Sequence, residues 1–155
     1  MLAMSDTNVE RFFPIFAQTG VPVAFLVPTP TGYSKSIMDA TGPVRELLKN
    51  ANVHDYDYQR QGPEAKAMLE SFFVYPDGLR ETVASVYRPM TKKGDPRIWF
   101  SKLTHYCNPC NLLALIVIKQ RIYVINLSDD AIVASLMNRE YVYDLLLEAV
   151  YQENL

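Results

Sequence analysis

Hydrophobic positions along this chain switch between a helical period and a strand period. Val9, Phe12, Phe13 and Phe16 recur at helical spacing, interrupted by Pro14, and predict a short helix or turn over residues 9–17. Val21 to Val27 is rich in β-formers and closed by Pro28 and Pro30, which predicts a first strand. The following Thr29 to Ser36 (TPTGYSKS) is polar and carries a glycine, so it reads as a loop. Pro43 at a first helical position, followed by Val44, Leu47 and Leu48, predicts a helix to about Asn50. Residues 52–66 are polar, aromatic and irregular.

Strand patterns dominate from there on. Met68 to Tyr75 and Leu79 to Tyr87 flank Pro76-Asp77-Gly78, a turn whose residues each have a reason: a preset φ, a side chain that bonds its own backbone, and tolerance of positive φ. Residues 88–97 (RPMTKKGDPR) form a Pro/Gly-punctuated basic loop, and Ile98-Trp99-Phe100 is a strand. Leu112 to Ile118 and Ile122 to Leu127 form a hairpin across Lys119-Gln120-Arg121. Asp129 starts a helix through Ala131, Val133, Leu136 and Met137. A break near Asn138 leads to a second helix, Tyr141 to Tyr151. The predicted fold is mainly β, mostly antiparallel, with flanking helices. There is no internal repeat and no low-complexity segment.

Composition narrows the class. A chain of 155 residues with 49% apolar content can build one ordinary core, and it is neither disordered nor collagenous. The longest apolar run, Leu112 to Ile118, falls well short of the roughly 18 residues of a membrane span. The N-terminus lacks a basic region followed by an apolar stretch, so no signal peptide is expected. Two cysteines are no disulfide framework and suit a reducing cytosol. The net charge of −2 hides an asymmetry: residues 129–155 hold six acids and one base, whereas residues 1–128 hold 14 bases and 11 acids. The division expected is therefore a mildly basic body, 1–128, and an acidic helical segment, 129–155.

Catalytic signatures are weak. Cys107-Asn108-Pro109-Cys110 is a single C-x-x-C with His105 nearby, whereas structural zinc sites usually need two such pairs. Neither a thioredoxin context nor a deaminase H-x-E accompanies it, so it reads as two ordinary loop cysteines. Glu64-Ala65-Lys66, with Asp55 or Asp57 before it, matches half of a Mg²⁺-dependent nuclease site. Pro63 and the loop-like surroundings argue against the rigid strand that such a site needs. No G-x-S-x-G and no phosphate-cradling glycine loop occurs.

The basic loop carries more information. Arg88, Lys92, Lys93 and Arg97 stand against one acid, Asp95, and Ile98-Trp99-Phe100 would root the loop in the core. Arg and Lys can bond guanine O6 and N7, and Asp can accept from cytosine N4. An acid amid four bases repels phosphate, so it has a purpose only if it reads a base; otherwise it pairs locally with Arg97 or Lys93. A second polar segment, Thr29 to Ser36, offers Thr29, Thr31, Tyr33, Ser34, Lys35 and Ser36, groups suited to phosphates and base edges. Gln59, Arg60 and Gln61 before Gly62 form a third candidate set.

Four stretches carry a resemblance: PTPTGYSKSIMDATGPVRELL, DYQRQGPEAK, SVYRPMTKKGDPRIWF and NLLALIVIKQRIYVINLS, spread over most of residues 27–128. Together they resemble the N-terminal effector domain of EcoRII-like Type IIE restriction endonucleases, in the form fused to an MvaI/BcnI-like catalytic domain. The resemblance implies a plant B-three-like DNA-binding pseudobarrel whose two arms grip the major groove. By it, Thr29 to Ser36 is the N-arm and Arg88 to Arg97 the C-arm, with Lys93, Asp95 and Arg97 at the family's base-reading positions. It implies binding to double-stranded DNA at a CC(A/T)GG-type site, as a monomer in the bacterial cytoplasm, with no membrane association. It places cleavage in a separate C-terminal catalytic domain of the PD-(D/E)xK class, which would be this domain's partner and would use Mg²⁺. The domain itself would need no cofactor and no metal, and would have no catalytic residues. Segment 129–155 would then be a linker toward that domain. Two alternatives stand beside this reading: a stand-alone Mg²⁺-dependent nuclease using Asp57, Glu64 and Lys66, and a protein-interaction β domain.

Overall fold

A computed structural model describes residues 9–152. Residues 1–8, where the signal-peptide expectation falls, and 153–155, the end of the acidic segment, lie outside the described residues.

The apolar alternation builds seven strands: β1 (Ala24–Leu26), β2 (Met38–Asp39), β3 (Ala67–Tyr75), β4 (Gly78–Tyr87), β5 (Arg97–Phe100), β6 (Leu113–Ile118) and β7 (Arg121–Asn126). They form one sheet in the order β1-β6-β7-β3-β4-β5-β2. Every pairing is antiparallel except β3 with β7, which is parallel and brings Ser71 opposite Ile122. Tyr106 locks that junction. Its buried hydroxyl donates to the Val74 and Val124 carbonyls (2.7 and 2.9 Å) and accepts from the Asn126 N–H (2.9 Å).

The edges β1 and β2 stand at opposite ends of the strand order. In a flat sheet, six spacings of about 4.8 Å would separate them by about 29 Å. Yet Phe25 and Leu26 of β1 and Met38 and Asp39 of β2 line one cleft of about 640 Å³. The sheet therefore curls back on itself, and the cleft lies where its two edges approach each other.

Helices close the rest. They are α1 (Phe13–Thr19), α2 (Pro30–Lys35), α3 (Gly42–Asn50), α4 (Asp130–Met137) and α5 (Tyr141–Gln152). Both α3 and α5 pack on β6. All six β6 residues are buried, which is why this strand reads as an unbroken apolar run. The acidic segment is not held apart from the body. Ile132, Val133 and Leu136 of α4 and Val142, Leu145, Leu146 and Ala149 of α5 belong to the common core, and their acids face outward. Asp129 caps α4, accepting from the Ala131 and Ile132 N–H groups (3.0 and 3.1 Å).

Three local expectations change. The segment Thr29 to Ser36 is not irregular: it contains α2, because Thr29 Oγ1 accepts from the Gly32 N–H (3.0 Å) and Pro30 starts the helix. The first strand is shorter than 21–27, because Pro22 cannot donate to a ladder. Pro76-Asp77 turns as expected, but Gly78 opens β4 opposite Tyr75 and is not among the glycines with positive φ. The opposite happens in the β6–β7 hairpin, where Lys119 and Gln120 both take positive φ (51° and 65°). With Ile118 and Arg121 paired, these two residues make a two-residue turn of the type I′ kind, whose twist matches the flanking strands.

Candidate nucleic-acid interface

Two connections emerge beside the cleft. Residues 27–37 join β1 to β2, and residues 88–96 join β4 to β5. Since β2 pairs with β5, the segments expected to be arms are rooted in adjacent strands.

The first arm is pinned by Tyr33. Its hydroxyl donates to the Cys107 and Thr104 carbonyls (2.8 and 3.2 Å), and its ring meets Trp99 edge-on at 6.5 Å. Ser34 Oγ donates to the Thr31 carbonyl (3.0 Å). Gly32 lies so close to the chain that a Cβ there would meet the Ile37 carbonyl oxygen at 2.5 Å. Tyr33 is thus an anchor, while Thr29, Thr31, Ser34, Lys35 and Ser36 are exposed.

The second arm is braced from below. Arg88 leaves β4 and folds back: Nε donates to the Gly94 carbonyl (2.9 Å) and Nη1 to the Gln59 carbonyl (3.1 Å). Gln59 is buried, and its Nε2 donates to the Ala65 and Val86 carbonyls (2.9 Å each). Its Oε1 lies 3.0 Å from His54 Nε2. Gln61 Nε2 donates to the Pro89 carbonyl (3.1 Å), and the side chain lies under Gly94. Arg88, Gln59 and Gln61 therefore already have partners within the protein that shape the loop. Arg60 is exposed. At the tip, Lys93 and Gly94 take positive φ (57° and 72°), and Thr91, Lys93 and Asp95 are exposed. The Lys92 backbone belongs to this turn; its side chain lies outside the described set.

Arg97 closes the arm. Among the described residues Asp95 forms no ion pair with Arg97 or Lys93; the partner of Arg97 is Asp39, directly opposite on β2. Its Nε lies 3.5 Å from Asp39 Oδ1, near enough for attraction but without hydrogen-bond geometry. Its side chain retains only 11% exposure, and it lines the cleft with Thr29, Thr31, Gly32, Lys35 and Thr91. One cleft thus gathers hydroxyls and cations from both arms, a set suited to phosphate and base-edge contacts.

The remaining candidates disperse. Asp57 lies 3.9 Å from Lys49, and Lys66 Nζ sits over the Tyr87 ring (4.8 Å from its centre). Among the described residues no three His, Cys, Asp or Glu side chains are placed to hold a metal ion. Cys107 and Cys110 are free thiols, and burial pushes the Cys107 thiol up to about 12. No described helix is long and apolar enough to cross a membrane. Asp39 escaped the sequence reading because nothing in Met38-Asp39-Ala40 marks it; only strand register brings it to Arg97. No family model, curated protein or solved structure matches the chain.

Proposed function

We propose that this chain is a sequence-specific double-stranded DNA-binding domain, a B-three-like pseudobarrel acting as the effector domain of a Type IIE restriction endonuclease. The observation that supports it most is the shared cleft: two segments some sixty residues apart, which by the resemblance would be the family's two arms, border one cavity. In this reading Lys35 and Lys93 contact phosphates, and the Arg97 guanidinium reads guanine in a CC(A/T)GG-type site. Asp95 accepts from cytosine. Cleavage and Mg²⁺ belong to a separate C-terminal catalytic domain, which this domain stimulates when it holds a second copy of the site.

The test is a titration of the chain with a CC(A/T)GG duplex and a scrambled duplex, with and without Mg²⁺. Preferential binding without strand scission is expected. Scission abolished by Glu64→Ala would favour a nuclease, and no binding to either duplex would favour a protein partner. Arg97→Ala should weaken the specific complex far more than the random one, by about 1–3 kcal/mol for one lost bidentate contact. Asp95→Ala should weaken the specific complex and leave random binding unchanged or tighter.

A further inference from the structure

We infer that Asp39 is a positioning residue for sequence discrimination: it holds the Arg97 guanidinium in the cleft and keeps it from phosphate. The inference rests on the DNA-binding reading. Register places Tyr87, Arg97 and Asp39 in one transverse row across β4, β5 and β2. Arg97 is thus flanked in the ladder by Tyr87 on one side and Asp39 on the other.

Its Nε is buried, lies 3.5 Å from Asp39 Oδ1 and has no hydrogen-bond partner. Nor does any described residue accept a hydrogen bond from the other guanidinium nitrogens. The remaining N–H groups of the guanidinium, on a side chain that lines the cleft, are donors available to an acceptor that enters it.

Asp39 is 82% exposed, so solvent screens its attraction for Arg97 and the pair adds little to stability. Its effect on a polyanion is different. A carboxylate at the cleft repels any phosphate that approaches Arg97, whereas the O6 and N7 atoms of guanine are neutral acceptors and are repelled far less. Asp39 therefore acts twice: it orients the reader, and it makes the backbone a poor substitute for a base edge.

Two variants test this. Asp39→Ala removes the carboxylate, and Asp39→Asn keeps its shape but removes the charge on which both effects depend. With Asp39→Ala, affinity for the CC(A/T)GG duplex should fall about tenfold. Affinity for scrambled duplex should rise about two- to fivefold, with the gain shrinking as salt is raised. With Asp39→Asn, scrambled binding should rise as much, and specific affinity should fall as it does with Asp39→Ala. In an Arg97→Ala background, Asp39→Ala should have no further effect on the specific duplex.

A merely structural residue would weaken both complexes by one factor and lower the melting temperature. That result, or an unchanged ratio in Asp39→Ala, overturns the inference while leaving the function standing. Wild-type chain that fails to discriminate the two duplexes overturns the function itself, and the inference with it.

Discussion

Arg88 offers the sharpest test of the site's construction, because sequence and structure assign it different work. In a loop with four bases it reads as a DNA contact. In the structure its guanidinium turns inward and ties Gly94 to Gln59 through bonds of 2.9 and 3.1 Å, while its own carbonyl accepts from the Gly62 N–H (2.8 Å). Arg88→Met keeps the aliphatic stem and removes both charge-assisted bonds. Such bonds contribute about 1.5–3 kcal/mol each when buried. Arg88 is half-buried, and water can rehydrate the two carbonyls in part, so the sum should be about 2–3 kcal/mol. With a urea slope of about 2 kcal/mol per molar, the midpoint should drop by roughly 1–1.5 M. The chain's one tryptophan, Trp99, lies in β5 next to the loop and reports the transition by fluorescence. An unchanged midpoint would refute the brace. Arg88 would then be free for DNA, and the salt slope of duplex binding should fall by about one in the variant.

Three further outcomes follow from the packing. Gly94→Ala should destabilise by about 1–2 kcal/mol, because a Cβ at φ +72° is strained and would meet Gln61 Cγ at 2.7 Å; urea titration checks it, and a neutral result would show that Gln61 simply moves aside. Tyr106→Phe should cost about 2–3 kcal/mol, or roughly 4–12 °C in melting temperature, since it strands the Asn126 N–H and two carbonyls inside the β3–β7 junction. Native chain treated with iodoacetamide at about pH 8 should be labelled at Cys110 and spared at Cys107 until it unfolds, because the buried Cys107 thiol is protonated there; peptide mapping that finds Cys107 modified in the native state contradicts this.

The strands and helices of this protein were legible in the sequence where a single local rule decides them. The unbroken apolar run of β6, the alternation of β3 and β4, the proline at the start of α3 and the Asp129 cap each act within a few residues. The helix hidden in Thr29 to Ser36 was missed because its apolar content is too small to show a period, so capping alone decides it. The acid count of residues 129–155 suggested a segment set apart, but it is the apolar face of each helix that settles where a helix lies.

The site is different in kind. Both arms were recognisable as polar, basic segments, yet which of their side chains face outward depends on partners far along the chain: Tyr33 on Cys107, Arg88 on Gln59, and Gln59 on Val86. Composition made Asp95 the natural partner of Arg97, being two residues away. Residues two apart on an extended chain share a face, but the residue directly across the ladder has the closer Cβ, and β2–β5 register makes that residue Asp39. Register is a property of the assembled, curled sheet, and no local pattern encodes it.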